Sequence, residues 1–137
     1  MDNTEVVQSI YAAFGRGDVA TILGHLNDPV GWEEWTAGNS AQKLAVPWMA
    51  LRQHPSEVAQ FFGVVATLKF HDFQVLSILA GGNQVAAEVF IHFETPGGAH
   101  LRDEEIHLWT FNDQGKVTRF RHYADTHKHI AAATTMT

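Results

Sequence analysis

The chain has 137 residues, 45% of them hydrophobic and 18% charged, a formal net charge of −6 and no cysteine. These proportions fit one compact soluble domain over residues 1–137. They exclude a disulfide framework and a thiolate zinc site, and the nine Lys and Arg residues form no dense patch that would track nucleic-acid phosphates.

Met1-Asp2-Asn3-Thr4-Glu5 has neither the basic start nor the apolar run of an export signal, and no uncharged stretch is long enough to span a bilayer. The expectation is a cytoplasmic protein whose partner is a small molecule or another protein, with no nucleic acid and no membrane. Val6, Val7, Ile10, Tyr11 and Phe14 recur at helical spacing, and Gly15-Arg16-Gly17 supplies a stop. Asp18 is a good N-cap for a short second helix with the stripe Val19, Ile22, Leu23 and Leu26, closed before Pro29. Trp32-Glu33-Glu34-Trp35 reads as a short strand. Residues 36 to 55, with Pro47, Trp48 and Pro55, lack a clear period and are expected to form a lid or pocket rim. Ser56 and Glu57 open a third helix with the face Val58, Phe61, Phe62, Val65 and Leu68.

From Lys69 onward four strands are expected, 69 to 79, 85 to 94, 101 to 112 and 116 to 125. The breaks are Gly81-Gly82-Asn83, Pro96-Gly97-Gly98 and Asn112-Asp113-Gln114-Gly115. Helices first and a meander after them predict an α+β fold, with three N-terminal helices packed on one face of an antiparallel sheet.

Alternation assigns the faces. Val85, Ala87, Val89, Ile91 and Phe93 alternate with Ala86, Glu88, Phe90, His92 and Glu94, so the odd positions face the core and His92 points away. In the last strand Phe120 and Ala124 flank His122, which makes the even positions inward. A turn with Asp113-Gln114 as its central pair would set Phe111 opposite Lys116, His107 opposite Phe120 and Glu105 opposite His122. Glu105, His107, Trp109, Phe120 and His122 then share the inner face, with His107 and His122 as diagonal neighbours.

The stretch IYAAFGRGDVATILGHLNDPVGWEE and the closing WTFNDQGKVTRFRHYAD resemble, in that order, the opening helix, Gly-Asp hinge and final hairpin of the NTF2-like superfamily. That group includes SnoaL-like polyketide cyclases, ketosteroid isomerases and limonene epoxide hydrolases. The resemblance covers nearly the whole chain. It implies a cone in which a strongly curved sheet wraps helices around a deep apolar pocket, and a homodimer through the outer sheet face. Carried over by position, Glu34 falls where ketosteroid isomerases hold a carboxylate base, His107 where they hold a neutral donor to the oxyanion, and His122 where epoxide hydrolases hold an acid. Ile10 stands where the isomerases have a tyrosine donor, and Val89 and Ile91 replace the Arg and Asp of epoxide hydrolases. Both departures argue against those literal activities.

The chemistry expected is acid–base work on a small, mostly apolar carbonyl compound, of the isomerase, polyketide cyclase or dehydratase type. Glu34 would act as base, His107 and His122 would donate to an enolate oxygen or hold a water, and Glu105 would set the tautomer of His122. Trp32, Trp48, Phe61, Val89, Ile91, Trp109 and Phe120 would line a pocket for an apolar or aromatic ligand. The alternative is a binding or assembly module in which the same polar groups satisfy one another inside the core.

No cofactor is expected, because the chain has no Gly-rich phosphate loop and no P-loop lysine. His127 and His129 fall in residues 126 to 137, a polar and alanine-rich tail expected to be frayed and solvated. A metal site made of His122, His127 and His129 would need that tail to fold back. On the outer face Ile106, Leu108 and Thr110 lie beside Arg102 and Glu104, so this strand is apolar on both sides, which favours the dimer.

Overall fold

The computed structural model describes residues 1–136. Helix α1 (Asn3–Gly15) opens with a capping box: the Asp2 carboxylate accepts from the Glu5 backbone N–H at 2.8 Å, and the Glu5 carboxylate accepts in return from the Asp2 N–H at 3.2 Å. Its inner stripe buries Val6, Val7, Ile10 and Ala13. Asp18 caps α2 (Val19–Gly24) through the Thr21 N–H. Strand β1 (Leu26–Trp32) follows, then a short helix α3 (Ser40–Lys43), a 3-10 turn at Pro47–Met49, and α4 (Pro55–Val65).

Four strands come next, β2 (Lys69–Gly81), β3 (Gln84–Glu94), β4 (His100–Phe111) and β5 (Val117–Tyr123). With β1 they form one curled five-stranded sheet in the order β1-β5-β4-β3-β2. The meander is antiparallel as expected, whereas β1 runs parallel to β5. The expected α+β architecture of helices on a curved sheet is therefore the one observed.

Four local expectations are corrected. The first strand is Leu26–Trp32 and ends where the short strand was expected to begin. Of the lid or pocket rim expected over residues 36 to 55, the lid is not seen: Ala41, Val46, Trp48 and Met49 are buried and anchor a segment that is otherwise largely exposed. The chain after residue 125 is a helix, α5 (Thr126–Ala133), capped by Asp125.

The fourth correction is the β4–β5 register, which is displaced by two residues. His107 sits opposite His122 and Trp109 opposite Phe120. The cause is a longer turn. Asn112 Oδ1 accepts from the N–H groups of Gln114 and Lys116, Gly115 takes φ 74°, and the ladder is irregular between Thr110 and Phe111. A left-handed glycine and a bulge lengthen a tight hairpin in this way. A shift of two keeps every side chain on its face, so the inward and outward assignments stand.

Candidate active site

The helices and the inner sheet face enclose a cavity of about 80 Å³. Ile10, Trp32, Trp48, Phe61, Ile91, Trp109 and Phe120 supply apolar wall, and Glu105, His107, His122 and His129 supply the polar part. The aromatic wall is interlocked: Trp32 stacks on Phe120 with centroids 4.2 Å apart, and Trp109 lies 4.4 Å from the same ring. Tyr11, Phe14, Phe62, Phe70 and Phe73 also line the cavity but are only half-buried. They mark its mouth between α1, α4 and β2. The volume is well below the roughly 300–1,000 Å³ of pockets for drug-sized ligands, so the cavity as it stands suits a small molecule.

Glu33 and His122 form the first polar unit. Strand β1 ends at Trp32, and Glu33 then adopts φ 60°, a left-handed conformation that costs a residue with a Cβ roughly 1–2 kcal/mol. This breaks the alternation, so that Trp32 and Glu33 are buried in succession. The Glu33 carboxylate accepts from the His122 backbone N–H at 3.0 Å and pairs with His122 Nδ1. Burial works against a charged His122, but the Glu33 carboxylate outweighs it and holds the imidazole above its ordinary value. Among the described residues Nε2 of His122, in the cavity wall, has no hydrogen-bond partner.

The second unit is a continuous chain of hydrogen bonds. Trp109 Nε1–H donates to the Tyr11 oxygen at 3.2 Å, and Tyr11 O–H lies 2.7 Å from His107 Nδ1. His107 Nε2 meets Glu105 Oε1 at 3.2 Å. On the other side of Glu105, His129 Nε2 lies 2.7 Å from Oε2 and 3.0 Å from Asp103 Oδ2. Trp48 Nε1–H closes the run on His129 Nδ1 at 2.8 Å.

Charge follows from these contacts. Burial lowers His107, and Glu105 offsets only part of it, so His107 is neutral, with Nε2–H donating to Glu105 and Nδ1 accepting from Tyr11. Burial also raises the Tyr11 phenol, which keeps its proton. For Glu105 burial acts upward, but the imidazole donors His107 and His129 outweigh it and hold the carboxyl well below its usual range. At His129 two demands compete. Burial disfavours the cation, yet Asp103 and Glu105 outweigh it and push the ring up to about 9. The Trp48 indole can only donate, so its bond requires an unprotonated Nδ1 and is made with the neutral ring.

Of the residues singled out in the sequence, His107, His122 and Glu105 meet in the cavity wall. Glu34 does not: its side chain is exposed, and the carboxylate inside the fold belongs to Glu33. Glu105 faces His107 and His129 rather than setting the tautomer of His122. Val89 is fully buried but does not line the cavity, whereas Ile91 does. His129, expected in a solvated tail, is 2% exposed, while His127 is exposed. Tyr11, one residue beyond Ile10, brings a phenol to the site. It lay in the apolar stripe of the first helix, and only a half-polar residue at that point of the stripe marked it.

This fold and this cavity define an NTF2-like α+β cone. Residues 7–120 match the family model of the SnoaL-like domain, and the chain belongs to that family. Among solved structures it is similar to an NTF2-like protein of unknown function from Burkholderia pseudomallei, with 20% identity, a TM-score of 0.80 and 98% of each chain covered. It is also similar to TerC co-crystallised with polyporic acid, at 19% identity and TM-score 0.75, over 96% of this chain and 98% of that one. A third is a Mycobacterium tuberculosis protein in complex with estradiol-17beta-hemisuccinate, at 18% identity and TM-score 0.70, over 90% and 94%. A search of curated proteins finds no match. No helix among the described residues is long and apolar enough to cross a membrane.

Proposed function

We propose that the protein is an acid–base enzyme that moves a proton on a small, mostly apolar carbonyl compound bound in the cone, as an isomerase, cyclase or dehydratase does. The observation that carries this reading is His122. Its Nδ1 is tied to a fully buried carboxylate, and among the described residues its Nε2 has no hydrogen-bond partner in a mostly apolar cavity. Glu33 orients the ring and stabilises the imidazolium that forms when Nε2 of the neutral ring, the form that grows as pH rises through the raised pKa, takes a proton from carbon beside the carbonyl. The protonated Tyr11 hydroxyl turns from His107 to the carbonyl oxygen and donates to the enolate, and the imidazolium then returns the proton. His107 and Glu105 act as positioning residues for Tyr11.

The test does not require the natural substrate. Small cyclic and aryl ketones that quench the cavity tryptophans are incubated in D₂O, and deuterium uptake at the α-carbon is followed by NMR. Wild type is expected to exchange at least about a hundredfold faster than His122→Ala or Glu33→Gln. A ketone that binds but exchanges at the same rate with all three proteins would overturn the reading.

A second reading, a ligand-binding module without turnover, is favoured by one feature: every polar group of the Tyr11, His107, Glu105 and His129 run is already hydrogen-bonded within the protein. Two of the structural relatives were crystallised with small molecules. Binding without exchange is its expected outcome.

Under either reading the partner is a small apolar or aromatic ligand, and the protein acts as a homodimer. Leu76, Leu79, Ile106 and Tyr123 are exposed on the outer sheet face at 49%, 70%, 38% and 41%, the apolar surface that a second copy would cover. Light scattering at micromolar concentration is expected to give twice the chain mass, and Leu79→Lys with Ile106→Lys is expected to halve it. A wild-type monomer overturns this.

A further inference from the structure

A second group of imidazoles lies on the opposite side of the sheet from the cavity. His71 in β2, His92 in β3 and His100 in β4 come from three adjacent strands. Their ring centroids are 4.7 Å (His71 to His92), 5.2 Å (His92 to His100) and 5.5 Å (His71 to His100) apart. The register explains the convergence. Glu94 is opposite His100 and His92 is opposite Arg102, so His92 and His100 are diagonal neighbours on the outer face. In β2 the ladder is irregular between Phe70, which pairs with inward Phe93, and Asp72, which pairs with outward His92. That bulge inserts His71 between them and turns it outward with Asp72, the re-aiming of a side chain that bulges produce.

We propose that His71, His92 and His100 form a binding site for a divalent transition-metal ion of the zinc type. One ring nitrogen from each lies within 4.8 Å of the others. Metal–nitrogen bonds of about 2.0–2.1 Å require donor nitrogens roughly 3.3 Å apart in a tetrahedron. The exposed rings of His71 and His100 can reach that spacing around the half-buried His92 by small side-chain rotations. One contact is already near it, His92 Nε2 to His100 Nδ1 at 2.9 Å, while His71 Nε2 lies 3.0 Å from Glu94 Oε1.

The rest of the surroundings fits a soft divalent ion better than calcium or magnesium. Imidazole nitrogen suits zinc, nickel and copper, whereas calcium and magnesium need a shell of oxygens. Glu94 stands 3.6 Å from His100 Nε2 as well as beside His71, and its negative charge orients both rings. Lys69 lies opposite Glu94, and Asp72 and Arg102 flank His92 from the strands on either side. Three histidines leave a fourth coordination position open, which a water or an atom from outside the chain would fill.

The experiment is calorimetric titration of the tag-free protein with Zn²⁺ at neutral pH, paired with NMR of the imidazole nitrogens. One saturable equivalent is expected, with the His71, His92 and His100 signals shifted and those of His107, His122 and His129 unchanged. His92→Ala and His100→Ala are each expected to weaken binding at least tenfold, and Glu94→Gln by about tenfold. These positions are on the outer face, and unchanged melting of the metal-free variants shows that they fold. Absence of saturable uptake overturns the site. So does uptake that survives His92→Ala and is lost in His122→Ala, which would put the ion in the cavity among Glu105, His107 and His122.

Discussion

His107 and His122 face each other directly across β4 and β5, with ring centroids 4.8 Å apart and planes at 87°. Two imidazoles this close do not both carry a positive charge at neutral pH without strong repulsion. Their partners divide the labour: Glu33 holds His122 above its ordinary value, while burial holds His107 below it. The two titrations are consequently of opposite sign. His122 contributes stability that is complete below its unfolded value of 6.5 and is lost as pH rises through its higher folded pKa. His107 is neutral in the fold while its unfolded form binds a proton below 6.5, so its contribution is lost as pH falls below that point. Glu33→Gln is expected to lower the His122 pKa and remove its share of the alkaline loss of stability, leaving the share of His129, whose ring Asp103 and Glu105 push up to about 9, and leaving the acid loss. Denaturant melts across pH 5 to 9 check this, and an unchanged alkaline limb would refute it.

Glu33 and Glu34 are adjacent and chemically identical, which makes them a controlled comparison. Glu33→Ala leaves His122 buried opposite nothing and is expected to cost about 3–5 kcal/mol, the range for breaking a buried ion pair. Glu34→Ala removes an exposed side chain and is expected to stay within about 0.5 kcal/mol. Urea melts of the two variants measure the difference directly, and equal losses would mean that the left-handed turn at Glu33 does not form.

The choice between these two residues shows where the sequence could be read and where it could not. The helix stripes, the four-strand meander and the faces of its strands follow from periods of 3.6 and 2, which are local properties. Alternation from Trp32 selects Glu34, because nothing in Trp32-Glu33-Glu34-Trp35 signals that a non-glycine residue will take φ 60°. The β4–β5 register fails for a related reason: Asn112 and Gly115 form a turn one bulge longer than the simplest one. His129 reads as tail because its helix is only eight residues long and weakly apolar. What holds it is contact with Trp48, 81 positions away in sequence. Cavity partners from distant segments leave no local pattern.

Trp48→Phe tests the competition at His129. The carboxylates of Asp103 and Glu105 push the ring up to about 9, and the indole N–H on Nδ1 opposes protonation. In wild type the measured pKa is therefore expected below about 9, and in Trp48→Phe it is expected to rise toward that value, since only the donor-only partner is lost. Histidine titration by NMR reads both, and a pKa that falls on substitution would show that the indole is not bonded to the neutral ring.

Tyr11→Phe separates the structural from the catalytic part of the network. The hydroxyl accepts from Trp109 and donates to His107, so its removal leaves two buried polar groups unmatched and is expected to cost about 1–3 kcal/mol. It also removes a hydrogen bond made only to the neutral form of His107, so the His107 pKa is expected to move up toward 6.5. Should Tyr11 donate to the enolate, α-carbon exchange is expected to fall by about two orders of magnitude, as for loss of one oxyanion donor, with ketone affinity changed much less. If Tyr11 only positions His107, exchange and affinity fall together by a small factor and Tyr11→His, which restores a donor, recovers neither. Comparing exchange rate with binding constant in the same variant therefore distinguishes a hydroxyl that meets the substrate from one that merely fills the wall of the cone.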